Sequence, residues 1–514
     1  MAQQRRFIIL MSIALGLVLT ALDHTIVSAS VNKIIDDIGG LDRVTWIYTT
    51  YALAGTSTML IFGKLSDLFG RKTLYLVSIG IFLLGSALCG TAQTIEQLSI
   101  YRVIQGIGSG GIFPISFSLI YTLYTDPDPK ESGKLSGIFG AVFGLSSIAG
   151  PQIGMWISET LSWRWCFYIN LPIGILSFAA LLLTLRESRA ETRPKIDVLG
   201  AILIVIATVC SMIALELGGN NVSWTSWKIV ALFGISALAV ISFFIVERRA
   251  MEPILPLKLF KNRMVTGTSI VVFCQGAMMF AAMTYLPLYT NYVLGESRLN
   301  LLLTPLMFSM IIGSVLMGLI LTRFQIRTVM VVNMVIGIVV SSLFMSLSPT
   351  VPFWQFIGMV VLLGLGVLGP LNSLSQNAVA YSVEERFIGI SSSLVGFCRS
   401  MGGVMGASIM AVIVNSQMTA SVETAITRFN LNSSSNPSYN PPDAETVLRY
   451  KDRFEPELVS YFTHAMDHAI TQGFVLLLGF SVLGAIAALT VGSMKIKKRS
   501  EETSRAKTSS RIEI

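Results

Sequence analysis

The chain has 514 residues, 53% of them hydrophobic and 13% charged, against about 25% charged in an ordinary soluble domain. Apolar windows of about 20 residues recur along it with no soluble stretch between them, which excludes an anchored enzyme and describes an all-α protein that crosses the membrane repeatedly. The formal net charge of +8 falls in short loops between apolar runs, where Lys and Arg mark the inner side, so nucleic acid is excluded as a partner.

The first predicted span, 7–31, is apolar except for one carboxylate, Asp23. A charge at that depth costs roughly 2.5–3.5 kcal/mol on insertion scales, so it needs a functional reason. Met1–Arg6 is too short for a signal-peptide n-region and no small-residue cleavage site follows, so the span is retained. Further spans are expected at 44–66, 73–93, 97–123, 133–158, 164–185, 197–217, 227–246, 264–292, 299–322, 327–347, 352–380, 386–415 and 469–493, about fourteen in all. With Arg5 and Arg6 in the cytoplasm, the even-numbered connections carry the basic residues, including Lys64, Arg71, Lys72, Arg248, Arg249, Arg323 and Arg327, so both termini are expected inside.

The expected organisation is a six-helix bundle over 1–190, two inserted helices over 191–255, a second bundle over 256–496, and a basic tail over 497–514 that grazes anionic headgroups. A long external loop, 416–468, interrupts the second bundle; its later part, ETVLRYKDRFEPELVSYFTHAMDHAI, has amphipathic helical spacing. His464 and His468 there stand i, i+4 without a cysteine nearby, and they read as surface residues rather than metal ligands. Cys89, Cys166, Cys210, Cys274 and Cys398 lie far apart in apolar runs without CxxC spacing, so neither disulfide nor metal site is implied. GKLSDLFGRKT at 63–73 aligns with GLILTRFQIRT at 318–328, and Gly150-Pro-x-x-Gly154 pairs with Gly402-Gly-x-x-Gly406 at nearly the same offset. Two related halves around a midplane site are therefore expected.

Four constellations carry chemistry. Asp67 and Arg71 are one helical turn apart, and Asp126, at the end of the fourth span, completes a charge cluster that would hold one arrangement of the halves; partly exposed pairs contribute on the order of 1 kcal/mol. At 1.5 Å per residue, Asp23 lies about 16 Å and Arg102 about 9 Å below the same membrane face, a difference an arginine side chain spans. A nearby guanidinium favours an ionised carboxylate while desolvation disfavours it, so an acid under both influences changes protonation when access changes. Gly106, Gly108 and Gly111 spell G-x-G-x-x-G, but no strand precedes them, and Gly106 with Gly110 reads as helix packing. His24, rotated about 100° from Asp23, is a packing residue or a proton relay.

In these residues the sequence resembles a major facilitator superfamily transporter. Gly63, Asp67, Gly70, Arg71 and Lys72 match the signature between its second and third helices. Leu22-Asp-x-Thr-Ile-Val27, Leu98-x-x-x-Arg102-x-x-Gln105-Gly106, Gly144 with Gly150-Pro151-x-x-Gly154, and WRWCFYINLPIG at 163–174 are similar to motifs of the fourteen-helix drug:proton antiporters of the EmrB/QacA type. The fifth-helix motif departs from the family's at Met155. The resemblance implies two six-helix bundles plus two extra transmembrane helices. It also implies alternating access in the plasma membrane, a proton gradient as the energy source with no cofactor, and close packing at Gly150-Pro151 that blocks proton leak.

Asp23, Arg102 and Gln105 would form the coupling network, with Asp23 alternately binding a proton and a substrate; the other reading is a permanent structural ion pair. By the same analogy Gln275, Tyr285, Asn372 and Gln376 line the cavity, with Met278, Met279, Phe113 and Phe143 as apolar walls adaptable to greasy ligands. No Walker loop is present, so the chain is not expected to be an ATP-driven pump or an enzyme. The tenth and thirteenth spans carry no acid, which favours monovalent cationic or neutral amphipathic substrates: small lipophilic drugs or dyes exported by a monomer. Alternatives are a dedicated exporter of one metabolite, antibiotic, siderophore or lipid, and a transporter-fold membrane sensor.

Overall fold

The computed structural model describes residues 2–40, 43–123, 129–185, 187, 196–218, 222–295, 300–320, 323–428, 444–449 and 453–494. A chain this apolar must satisfy its backbone N–H and C=O groups within each segment when it leaves water, which dictates helices. The first set is α1 (Ala2–Ile38), α2 (Thr45–Phe69), α3 (Arg71–Thr91), α4 (Ile95–Leu123), α5 (Pro129–Thr160), the single turn α6 (Trp165–Tyr168) and α7 (Asn170–Thr184). A hairpin of α8 (Val198–Leu217) and α9 (Trp227–Glu247) follows. The second set is α10 (Arg263–Leu288), α11 (Asn300–Ile320), α12 (Ile326–Met345), α13 (Phe353–Leu363), α14 (Gly369–Ala380), α15 (Ile388–Arg428), α16 (Ala444–Arg449), α17 (Pro456–Gly473) and α18 (Val475–Thr490).

Local sequence explains the breaks. Gly70 separates α2 from α3 at φ +101°, a conformation that strains any residue with a Cβ. Asp197 caps α8 by accepting from Gly200 N at 2.8 Å, and Asn262 caps α10 by accepting from Met264 N at 2.9 Å. The glycine-rich GLGVLGP run relaxes into a π turn, Gly364–Leu368, that joins α13 and α14 into one span.

Among the described residues, thirteen spans are long and apolar enough to cross a bilayer. The 25-residue α2 misses that composition because TWIYTTYALAGTST is rich in Thr, Tyr and Gly, but it packs between α4 and α15 and is the fourteenth. Two spans differ from the sequence expectation. Helix α15 runs on to Arg428, and α16 and α17 follow, so the described parts of 416–468 are largely helical. Tyr461 of α17 donates to the Ser421 carbonyl of α15 at 3.1 Å, and Tyr289 donates to Asp467 at 2.8 Å, fixing α17 to the second bundle.

The two bundles meet unevenly. One end carries Lys64, Arg71, Lys72 and Arg386 and is called here the basic end. Towards it, residues 388–396 of α15 are all buried, including Ser391, Ser392 and Ser393. From 397 to 401 the same helix becomes partly exposed. On α1, Ile13, Leu17 and Thr20 are buried, whereas His24, Ser28 and Asn32 are exposed at successive turns. A polar stripe on a membrane helix faces water rather than lipid. The space between the bundles is therefore a vestibule, shut at the basic end, floored near Thr20 and Arg399, and open at the opposite end.

Candidate functional site

The coupling residues of the sequence meet inside the first bundle. Arg102 Nη1 donates to Asp23 Oδ2 at 2.6 Å and to Gln105 Oε1 at 2.8 Å, while Gln105 Nε2 donates to Asp23 Oδ1 at 2.7 Å. Asn170 Nδ2 donates to the same Oδ1 at 3.0 Å and to Ser86 Oγ at 2.9 Å. Helices α1, α4 and α7 are thus tied together through one carboxylate, α3 joins them through Ser86, and every hydrogen-bond partner of Asp23 is a donor. Arg102 Nε also donates to the Ile47 carbonyl at 3.2 Å, and the Tyr51 ring lies 4.0 Å from its guanidinium carbon. Removing one member of such a sealed pair costs about 3–5 kcal/mol, because the other charge remains buried.

Sequence reasoning brought Asp23, Arg102 and Gln105 together but missed Asn170, Ser86 and Tyr51. Asn170 was within reach, since it lies in WRWCFYINLPIG; Ser86 and Tyr51 are ordinary helix residues with no local signal. The Asp23 side chain is 0% exposed in this conformation. The Tyr51 ring covers the Arg102 guanidinium, and the exposed His24 ring packs edge-on to it at 6.2 Å between centroids.

At the basic end, Asp67 reaches across to the second bundle. Its carboxylate accepts from Gly389 N at 3.0 Å and Ile390 N at 2.9 Å, the first free N–H groups of α15, where the helix dipole favours a negative charge. Arg71 Nη2 sits 3.2 Å from Asp67 and donates to the Glu385 carbonyl at 2.9 Å. Gly63 and Gly389 allow this approach: a Cβ on Gly63 would overlap Ser393, and one on Gly389 would overlap Asp67. The pair expected to be partly exposed is buried, and its partner is a helix end. Asp126 lies outside the described residues. Lys72 belongs to the same turn but donates to the Leu182 carbonyl at 2.7 Å, within its own bundle.

The fifth-helix motif presses on both bundles. Cβ atoms on Gly150 and Gly154 would overlap Thr25 and Ile26 of α1, two and three residues from Asp23, and one on Gly144 would overlap Ile311 of α11. Pro151 lies inside α5 without ending it. Likewise Gly106 and Gly110 of α4 pack on the α2 backbone at Tyr51 and Gly55, and Gly108 packs on Ser78 and Phe82 of α3, so G-x-G-x-x-G is helix packing.

The cavity candidates divide. Met278 is buried and faces Ser481 of α18 at 3.3 Å and Gly337 of α12, away from the vestibule. Gln275 is buried with Nε2 donating to the Leu368 carbonyl at 2.7 Å, and Tyr285 and Gln376 are buried too. All three are closed off from solvent in this conformation, though Gln275 and Gln376 keep side-chain polar atoms without partners. Asn372 and Met279 are partly exposed, and Phe113 packs on Phe117 near Gly396 at the junction of the bundles. The Phe143 side chain lies outside what the structure describes.

Arg399 of α15 sits about 17 Å along the axis from Ile388. Its Nη2 donates to Ser375 Oγ at 3.3 Å, and its Nε is buried without a hydrogen-bond partner. Among the described residues no carboxylate lies within ion-pair distance of it. A lone cation at that depth carries roughly 2.5–3.5 kcal/mol of insertion cost with no counter-charge.

Two bundles of membrane-spanning helices, with a charge network buried inside the first, are the build of a membrane transporter. The chain belongs to the Major Facilitator Superfamily, whose family model matches residues 13–407. It is 37% identical to "Multidrug resistance protein 3" of Bacillus subtilis (strain 168) over 506 residues, covering 98% of each chain. It is 36% identical to "Multidrug transporter protein MdtP" of the same organism over 424 residues, covering 81% of this chain and 76% of that one. The proton:xylose symporter XylE shares the fold, with a TM-score of 0.57 at 15% identity, covering 97% of this chain and 98% of that one.

Proposed function

We propose that the chain is a proton-driven multidrug exporter that works by alternating access in the cell membrane. Its basic end and both termini lie in the cytoplasm, and its vestibule opens outward. The observation that carries this reading is the sealed Asp23–Arg102–Gln105–Asn170 cluster, an acid buried at mid-depth beside a vestibule that is shut at one end. A proton arriving past His24 and Tyr51 neutralises Asp23 and removes the charge that holds Arg102. α1 and α4 then shift against each other, and the Asp67 contact to α15 gives way as the vestibule turns inward. The proton leaves to the cytoplasm, the pair re-forms, and cargo is carried out.

The relatives' names support drug export, and the Met and Phe residues at the junction suit ligands of varied shape. Cargo is lipophilic and amphipathic. Among the described residues no acid is exposed at the vestibule floor, so cationic character is not what the geometry selects. The test is uptake of a lipophilic dye into inside-out vesicles holding the purified protein under an imposed proton gradient. Accumulation that a protonophore abolishes and that needs no ATP is expected. Transport that ignores the protonophore would contradict the reading.

A further inference from the structure

The exporter reading leaves Arg399 unused, and its surroundings are built for a ligand. Its Nε is buried and unpaired while Nη2 makes one long bond, 3.3 Å, to Ser375 Oγ, so one edge of the guanidinium fork is largely unspent. On α14 the Asn372 side-chain carbonyl and both amide atoms of Gln376 have no partner, and Gln376 is 0% exposed. On α10, Gln275 leaves Oε1 unpaired, and its neighbour Gly276 lies against the Arg399 carbonyl. Polar atoms without partners thus occur on α10, α14 and α15, the three helices that meet at Arg399 through Gly276 and Ser375, where α15 passes from buried to partly exposed. Buried polar groups in folded proteins are otherwise almost always paired.

We propose that Arg399, with Ser375 and Gln376, forms an anion subsite at the vestibule floor that takes the carboxylate of an amphipathic cargo. This rests on the exporter reading and narrows its substrate class. A planar carboxylate matches the open edge of a guanidinium through two parallel N–H···O bonds. Its single charge balances the single cation, whereas a dianion would leave excess charge in a poorly hydrated site. The amide N–H groups of Gln376 supply further donors, and Met279 and Phe113 receive the greasy remainder.

Rhodamine B, which carries a free carboxylate, and rhodamine 6G, an ester of the same dye skeleton, are suitable probes. Binding to the purified protein by fluorescence anisotropy should favour the acid at least tenfold. The acid-to-ester ratio should fall to near one in Arg399→Gln and to an intermediate value in Arg399→Lys, which keeps the charge but loses the fork. Arg323→Gln, a charge removal in an exposed loop, should leave the ratio as in the parent. Equal binding of both dyes by the parent, no binding of either, or a preference that survives Arg399→Gln would overturn the proposal. Gradient-driven transport of the ester is read separately: its absence alongside an intact binding preference would strike the exporter reading and leave the anion subsite standing.

Discussion

Asp23 is held by three side-chain donors from two other helices, and that arrangement decides what substitutions there do. Arg102→Met leaves the carboxylate buried beside two amides and no cation, and Asp23→Asn leaves the guanidinium without a charge partner. Each single change is expected to cost about 3–5 kcal/mol of stability. The double variant removes both charges, so it should cost less than the sum of the singles by about 1–3 kcal/mol. Thermal unfolding in detergent of the four proteins closes this cycle, and strict additivity would mean that the short contact contributes no coupling. Residue types and depth made the pair legible in sequence. What sequence could not give was the ring of Tyr51 closing the site, because an aromatic residue in a Thr-rich helix looks the same whether it seals a charge or packs on lipid.

The elements that move are joined by contacts that can be released. Asp67 on α2 caps the N-terminus of α15 through Gly389 and Ile390, an interaction of a charged acceptor with free N–H groups. Hydrogen bonds to charged groups contribute about 1.5–3 kcal/mol each. Asp67→Asn should therefore shift the balance towards the state open at the basic end by about tenfold or more. In that variant a cysteine introduced by Ser393→Cys, fully buried here, should react faster with a thiol reagent added from that side; unchanged labelling would remove Asp67 from the gate. Sequence supplied the Gly-x-x-x-Asp-x-x-Gly-Arg-Lys order and its place between spans. It did not supply the partner, since the contact is with backbone N–H groups, which any sequence at the start of α15 would present. Sequence placed the end of the thirteenth span at 415, but the QMTASVETAITR run that follows has no Gly or Pro to stop a helix, so α15 continues to Arg428.

For the whole molecule, the shut end is not sealed by ideal packing. The hydroxyls of Ser391, Ser392 and Ser393 are buried there without partners, so opening the gate hydrates groups that closure leaves unsatisfied. Closure and opening are thereby kept close in free energy, as a rocking carrier needs. A cysteine at Ser28, on the exposed stripe of α1, should label readily from outside in this state, and its labelling should fall under conditions that raise Ser393→Cys labelling from inside. Labelling that rises and falls together at both positions would mean a pore rather than two alternating openings.

The membrane spans and the buried charge pair could be read from the chain because depth and hydropathy constrain them directly. The vestibule lining could not, because Met278, which packs on Ser481, shares a helix and an apolar context with the partly exposed Met279.

The central claim is that Asp23 couples the proton gradient to export, and proton-driven dye accumulation by Asp23→Asn in vesicles tests it most directly, with dye-for-dye exchange measured in the same preparation as the check on folding. The account predicts that exchange persists while accumulation no longer responds to the pH difference. Accumulation equal to that of the parent under the same gradient would contradict it.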